Sequence, residues 1–236
     1  MFLRPSIAGA VVVLLALPAA ASAAPPAPPT FSKALKKCYV SASPGQTEPI
    51  EIDASGFMPL AFVNVLIDDT IVTPPPGSAP PQADANGELK GFVAAPYIAS
   101  GQRVFSLRLT EQEKDPAVTP PTVSTTSKVT ALSVTSSPTK PRNTKTRVRF
   151  RGRGFTDRLK PIYAHYVFNG KVRQTVQIGK PFGDCGQFSV RRRQFPMRNP
   201  HVGAWIVQFD QEQAYNPNAT AFARLRIVVS RKPGSR

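Results

Sequence analysis

A repeat of about 100 residues is the feature that most restricts the folds open to this sequence of 236 residues. Three glycine-centred landmarks each occur twice, and the two copies lie 98, 99 and 102 residues apart. The pairs are Gly56-Phe57 with Gly154-Phe155, Gly87 with Gly186, and Gly101 with Gly203. A nearly constant offset is hard to obtain by chance, so the sequence predicts two copies of one structural unit.

Alternation of apolar and polar residues predicts that both copies are built from β-strands. Val148 and Phe150 alternate with arginines, and a second alternating run, from Ile162 to Phe168, leads into an Asn-Gly turn. This period of two is the signature of a strand with one buried and one solvated face. Each copy contains about seven such short runs, separated by Pro, Gly and Asn clusters, with no convincing helical period. The pattern favours an antiparallel β-sandwich in each copy.

The turn and hairpin motifs resemble those of bacterial immunoglobulin-like domains in exported proteins, including the IPT/TIG type. They are the G-x-G-F or S-G-F turn, the D-x-x-G hairpin before a strand, and the later strand that opens with glycine. The resemblance covers roughly Lys37 to Ser230. It implies an all-β fold of two tandem immunoglobulin-like antiparallel β-sandwiches with an interaction role. Because the motifs are structural, the resemblance transfers no catalytic residue.

The expected organisation begins with a secretory signal peptide at residues 1–23, where Arg4 precedes an apolar run that ends before an A-x-A cleavage site. A Pro-rich leader at 24–36, a sandwich at 37–128 and a second sandwich at 129–232 follow, with the hinge around Lys128. The apolar run is shorter than the roughly 20 residues that a bilayer span needs. We therefore expect export without a membrane anchor, to the outside or to the cell envelope.

Positive charge is concentrated in the second copy. Residues 24–130 contain 8 Lys and Arg against 10 Asp and Glu, whereas residues 131–236 contain 21 against 4. The first sandwich is therefore mildly acidic and the second strongly basic.

Five arginines are expected to form one basic face of the second copy. In sandwich topology the strand from Arg147 to Arg151 lies beside the strand from Ser189 to Arg193. The outward side chains are then Arg147, Arg149, Arg151, Arg191 and Arg193. Arginines that face each other across strands destabilise a sheet by up to about 1 kcal/mol per pair, a cost that counterions or a partner must offset.

Two kinds of partner fit this basic face. One is an anionic polymer of the envelope, because planar guanidinium groups suit phosphate and carboxylate. The other is an acidic protein surface, and the first copy supplies one: Glu51 and Asp53 take the places of Arg149 and Arg151 under the repeat offset. An assembly protein whose acidic and basic copies pair within or between molecules is thus the alternative function. A solvated face with no dedicated partner is the third interpretation.

The two cysteines fall in different copies. Cys38 lies at the start of the first sandwich and Cys185 in a Gly-Asp-Cys-Gly turn of the second. In an exported chain the even count predicts a disulfide that pins the two copies side by side. If the copies are stacked end to end, both cysteines stay free, or one bridges to another chain.

The sequence offers little material for catalysis or for a metal. Histidine occurs only at His165 and His201 and no C-x-x-C spacing is present, so no zinc site and no cofactor are expected. We predict that His165 is a surface or edge residue of its strand, and no G-x-S-x-G nucleophile elbow occurs. Aromatic residues between the arginines fall mostly at inward positions, which favours core packing over sequence-specific nucleic-acid binding. The expectation is a protein that is not an enzyme.

Overall fold

The computed structural model describes residues 28–72, 79–112, 117, 119–139, 144–219 and 221–230. The regular elements of these residues are all β-strands. The described part of the chain has no helix that is long and apolar enough to cross a membrane. The all-β prediction is therefore confirmed. The signal peptide predicted at 1–23 lies outside the described residues.

The first half of the molecule contains two sheets around one apolar core. Its strands are β1 (Thr30–Phe31), β2 (Cys38–Ser43), β3 (Gln46–Thr47), β4 (Pro49–Ser55), β5 (Val63–Ile67), β6 (Thr70–Ile71), β7 (Leu89–Ala94), β8 (Gln102–Glu111) and β9 (Thr122–Ala131). One sheet has the order β1-β4-β7, and the other has the order β3-β2-β9-β8-β5-β6. Ile50 of β4 and Leu107 of β8 are both fully buried, because each sheet turns its apolar side chains toward the other.

The second half repeats this plan with a separate core. Its strands are β10 (Ser133–Ser137), β11 (Arg147–Arg153), β12 (Ile162–Phe168), β13 (Lys171–Gly179), β14 (Phe188–Arg193), β15 (Gly203–Asp210) and β16 (Ala223–Val229). One sheet has the order β10-β11-β14 and the other β13-β12-β15-β16. Phe150 of β11 and Trp205 of β15 are fully buried in the core between them.

Gly87 and Gly186 hold equivalent positions in the two halves. Their φ angles are +75° and +56°, and a Cβ on either residue would lie 2.1 Å from the carbonyl oxygen of Phe57 or 2.0 Å from that of Phe155. The same phenylalanines donate their amide N–H groups to the carbonyl oxygens of these glycines, at 3.2 and 3.1 Å. Only glycine permits both the backbone conformation and this approach, which explains why the landmark occurs twice.

The junction between the halves differs from the prediction. Lys128, the expected hinge, lies inside β9, which continues to Ala131 and pairs in parallel with β2. Leu132 alone separates β9 from β10, and its amide donates to the carbonyl oxygen of Ser41 at 3.0 Å. The hinge prediction is wrong because β8 is long enough to pair with nearly all of β9, from Thr122 to Thr130. The β2-β9 pair is also a parallel exception to the expected antiparallel arrangement.

The start of the first half also differs from the prediction. Within the leader expected at 24–36, Thr30 and Phe31 form β1 and pair with β4. Residues 24–27 lie outside the described residues. The first half therefore begins several residues before Lys37, because even a two-residue strand can extend a sheet by one edge.

Candidate anion-binding face

The five predicted arginines lie together on the outer face of the sheet β10-β11-β14. In the register of β11 with β14, Arg147 is opposite Arg193 and Arg149 is opposite Arg191. Arg151 follows on the same side of β11, and all five side chains are exposed. They point outward because the alternate residues of β11, Val148 and Phe150, are fully buried in the core.

Two hydroxyl side chains of β10 border the arginines, on the side of β11 that is opposite β14. Thr135 of β10 is the register partner of Arg151, and Ser137 is the partner of Arg149. Ser137, Pro138 and four of the arginines line a shallow concavity of about 200 Å³. Sequence reasoning missed Thr135 and Ser137, although their spacing of two on a strand next to β11 is the signal that predicts them.

The basic face carries no compensating charge among the described residues. None of its five guanidinium groups forms an ion pair or a hydrogen bond with another described residue. Arg192, which points to the other side of β14, donates instead to the carbonyl oxygen of Gln177 at 3.0 Å. Unpaired guanidinium groups held side by side on rigid strands are suited to bind oxyanions, because each offers a planar fork of donors.

The acidic residues predicted to meet this face lie on β4, the central strand of the sheet β1-β4-β7. Glu51 forms an ion pair with Lys33 of the same half. Asp53 is the register partner of Lys90, which itself pairs with Glu88 at 2.8 Å. The acidic side chains therefore have cationic neighbours close by, and their pairing with the arginines stays a prediction.

A disulfide joins Cys38 to Cys185, with the two Cα atoms 5.2 Å apart. This confirms the predicted bond between the two copies and rules out the alternatives in which the cysteines are free. Asp184, next to Cys185, accepts from Lys128 at 3.2 Å and from Arg158 at 2.9 Å. The hydrogen bond from Lys128 is the main cause that lowers the pKa of Asp184 below its usual value of 3.8.

A cleft of about 390 Å³ adjoins the disulfide between the two halves. Its walls are formed by Lys36, Lys37, Cys38, Glu48, Thr156, Asp157, Arg158 and Asp184. The three carboxylates in this set are each paired with a lysine or an arginine. The cleft is consequently a polar joint between the halves, with its acidic groups already satisfied.

The prediction that His165 is a surface or edge residue is wrong, because the side chain is fully buried. Its Nδ1 lies 2.9 Å from the hydroxyl of Thr175, and its Nε2 lies 3.1 Å from both a carboxylate oxygen of Asp210 and the carbonyl oxygen of Glu212. The ring of Tyr215 also lies against the imidazole, with centroids 5.7 Å apart. The chain that follows β15 covers this side of the sheet, so the network fixes that segment on β12.

His201, the other histidine, lies in the segment before β15. Its side chain is exposed and stacks on Phe168 with ring centroids 5.2 Å apart. Its carbonyl oxygen accepts from the indole N–H of Trp205 at 2.8 Å. Among the residues that the structure describes, no group of three or more His, Cys, Asp or Glu side chains is arranged to hold a metal ion.

Comparison with known proteins finds distant likenesses among solved structures. No protein-family model matches the sequence, and no curated protein matches it. A solved structure titled "Anomalous substructure of Titin-A168169" aligns with 86% of this chain and 98% of its own, at 11% identity and a TM-score of 0.31. A likeness at that score carries no argument about function.

Proposed function

We propose that this protein is an exported, non-catalytic binding module that holds an anionic polymer of the cell envelope on the basic face of its second half. In this proposal the two halves are tandem immunoglobulin-like sandwiches of the IPT/TIG type. The signal-peptide pattern at residues 1–23 supports export, and the turn motifs support the domain type.

One observation carries the proposal: five exposed arginines share a sheet face on which no described residue pairs with them. A face that only keeps a protein soluble mixes charges of both signs. Arginines directly opposite each other lower the stability of the sheet, and an anionic ligand would offset that cost. A polymer suits a flat, open face better than a small molecule, because small ligands favour enclosed pockets.

The alternative of an assembly protein is less well supported. It requires Glu51 and Asp53 to be available for the arginines of the second half. Glu51 already pairs with Lys33, and Asp53 lies opposite Lys90. Breaking these local contacts would cancel part of the gain from pairing with another copy.

Co-sedimentation with purified anionic wall polymer, at low and at physiological salt, tests the proposed function. The protein is compared with a variant in which Arg149, Arg151 and Arg191 are changed to Gln. We expect binding that survives physiological salt in the parent and is lost in the variant, with the salt slope falling by about one unit for each contact removed.

The matched control changes three exposed cations of the opposite sheet, Lys171, Arg173 and Arg226, to Gln. This control removes the same charge from a different face. Equal losses in the two variants would mean that net charge alone causes binding, and would refute a site on the basic face. Unchanged binding in the first variant would refute it as well.

A further inference from the structure

We infer that the basic face binds a linear phosphodiester polymer. One phosphate group of the polymer would lie in the concavity over Arg149, and the adjacent phosphate groups would lie over Arg147 and Arg151 of the same strand. The inference rests on the proposed function and names the class of polymer. It follows from three features of the face: the order of donors across the sheet, the spacing along β11, and the absence of acidic groups among the described residues of the face.

The central row across the sheet places donors on both sides of one arginine. Ser137 of β10, Arg149 of β11 and Arg191 of β14 are consecutive register partners. A single guanidinium fork already satisfies a planar carboxylate. The oxygens of a phosphodiester project in different directions from a tetrahedral phosphorus, so they can accept from the hydroxyl on one side and from guanidinium groups on the other.

The neighbouring row repeats this chemistry with hydroxyl groups at both ends. Arg151 lies between Thr135 of β10 and Ser189 of β14, and both of these residues are exposed. Hydroxyl groups add hydrogen-bond donors without adding charge. They therefore select a ligand by the directions in which its oxygens project. A face with charged groups alone would select only by the charge of the ligand.

The spacing along β11 fits a chain with anionic groups in its backbone. Arg147, Arg149 and Arg151 are two residues apart, which places successive side chains about 7 Å apart on one face of an antiparallel strand. A phosphodiester polymer carries one charge per repeat in the chain itself, so an extended segment can bring successive charges to successive rows. Sulfated glycans carry their charges on side branches, at less regular intervals.

Three probes of similar length and total charge distinguish the polymer classes at physiological salt. They are an abasic oligodeoxyribose phosphate, which is a phosphodiester chain without bases, dextran sulfate, and poly-glutamate. Binding is measured by fluorescence anisotropy. We expect the phosphodiester probe to bind at least about tenfold more tightly than either of the others.

Two variants test the geometry separately from the charge. Ser137→Ala removes one hydroxyl, and Arg149→Lys keeps the charge but removes the fork. Each is expected to weaken binding of the phosphodiester probe about tenfold. Ser137→Ala should leave poly-glutamate binding unchanged, because a carboxylate is satisfied by the guanidinium fork alone, whereas Arg149→Lys should also weaken poly-glutamate binding. Ser124→Ala, at an exposed hydroxyl of β9, is the matched control and should have no effect.

The outcomes separate this inference from the proposed function. Equal affinity for the three probes, tighter binding of dextran sulfate, or no effect of Ser137→Ala and Arg149→Lys would overturn the phosphodiester inference. If the variant with Arg149, Arg151 and Arg191 changed to Gln still lost all binding, the proposed polymer-binding face would stand. If that variant bound every probe as the parent does, both would fall.

Discussion

The sheets β1-β4-β7 and β10-β11-β14 have the same plan and opposite surface chemistry. In both, the central strand alternates fully or nearly fully buried apolar residues with outward polar ones. The outward residues of β4 include Glu51, which pairs with Lys33, whereas those of β11 are arginines without a described partner. Inward positions are restricted by packing, and outward positions are free to vary. The outward residues, in which the two halves differ, are therefore the ones that we expect to carry the function.

The largest expected effect concerns the bond that joins the two halves. Changing Cys38 and Cys185 to Ser opens a loop with a sequence separation of 147 residues. Chain-entropy models give a loss of about 4 to 5 kcal/mol in the free energy of unfolding for a loop of this length. Urea unfolding of the parent and the double variant measures the loss.

The parent treated with reductant is the control and should match the double variant. If the variant unfolds at the same urea concentration as the oxidised parent, the bond contributes nothing to stability. If instead two separate transitions appear, the halves unfold independently once the bond is removed.

The second prediction tests whether the two halves are equivalent in their turns. Gly87→Ala and Gly186→Ala each place a Cβ close to 2 Å from a backbone oxygen, where no flexible side chain can give way. We expect each change to destabilise its half by about 3 kcal/mol or more. Thermal unfolding measures both changes.

Gly101→Ala is the matched control, because its φ is +76° but no atom lies within 4 Å of the added Cβ. It should cost only about 1 to 2 kcal/mol, the penalty for the left-handed conformation. A large loss in one half together with a small loss in the other would contradict the equivalence of the two turns.

The third prediction exchanges charge between the equivalent sheets. Arg149→Glu places a carboxylate opposite Arg191 and should stabilise the second half by up to about 1 kcal/mol at low salt. Glu51→Arg removes the ion pair with Lys33 and should destabilise the first half by a similar or smaller amount. Unfolding at low and at high ionic strength measures both effects, which should shrink as salt is added. A loss of stability in Arg149→Glu would show that the arginines of the basic face do not repel one another.

The smallest effect concerns Asp184, which connects the halves through Lys128 and Arg158. Its pKa is lowered from 3.8, so its ionised form favours the folded state. That contribution is complete above pH 3.8 and is lost as the pH falls further, through the lowered value. Asp184→Asn should therefore lower stability slightly at neutral pH, and the difference from the parent should disappear in acid. A difference that persists once Asp184 is protonated in both the folded and the unfolded parent would assign the effect to another cause.

Local patterns predicted the strands, the basic face and the disulfide. The alternation in β11 and β14 is visible in the sequence, and the repeat aligns the two halves. Burial of His165 could not be predicted in this way, because alternation distinguishes the two faces of a strand but does not show that a later segment covers the second face. The extent of β9 was missed for a related reason: pairing with β8 and β2 decides where it ends, and Lys128 itself contains no signal of this.

The disulfide also changes how the molecule would respond to a mechanical pull. Tension applied between the first residues of the first half and the last residues of the second would pass from Cys38 directly to Cys185 through the covalent bond. The strands from β3 to β13 lie between these cysteines in the sequence and would carry almost none of that force. Extension would be confined to the chain outside the bridge, which includes β1 and β14 to β16. The arginines of β11 would therefore be shielded from the load, whereas those of β14 would not.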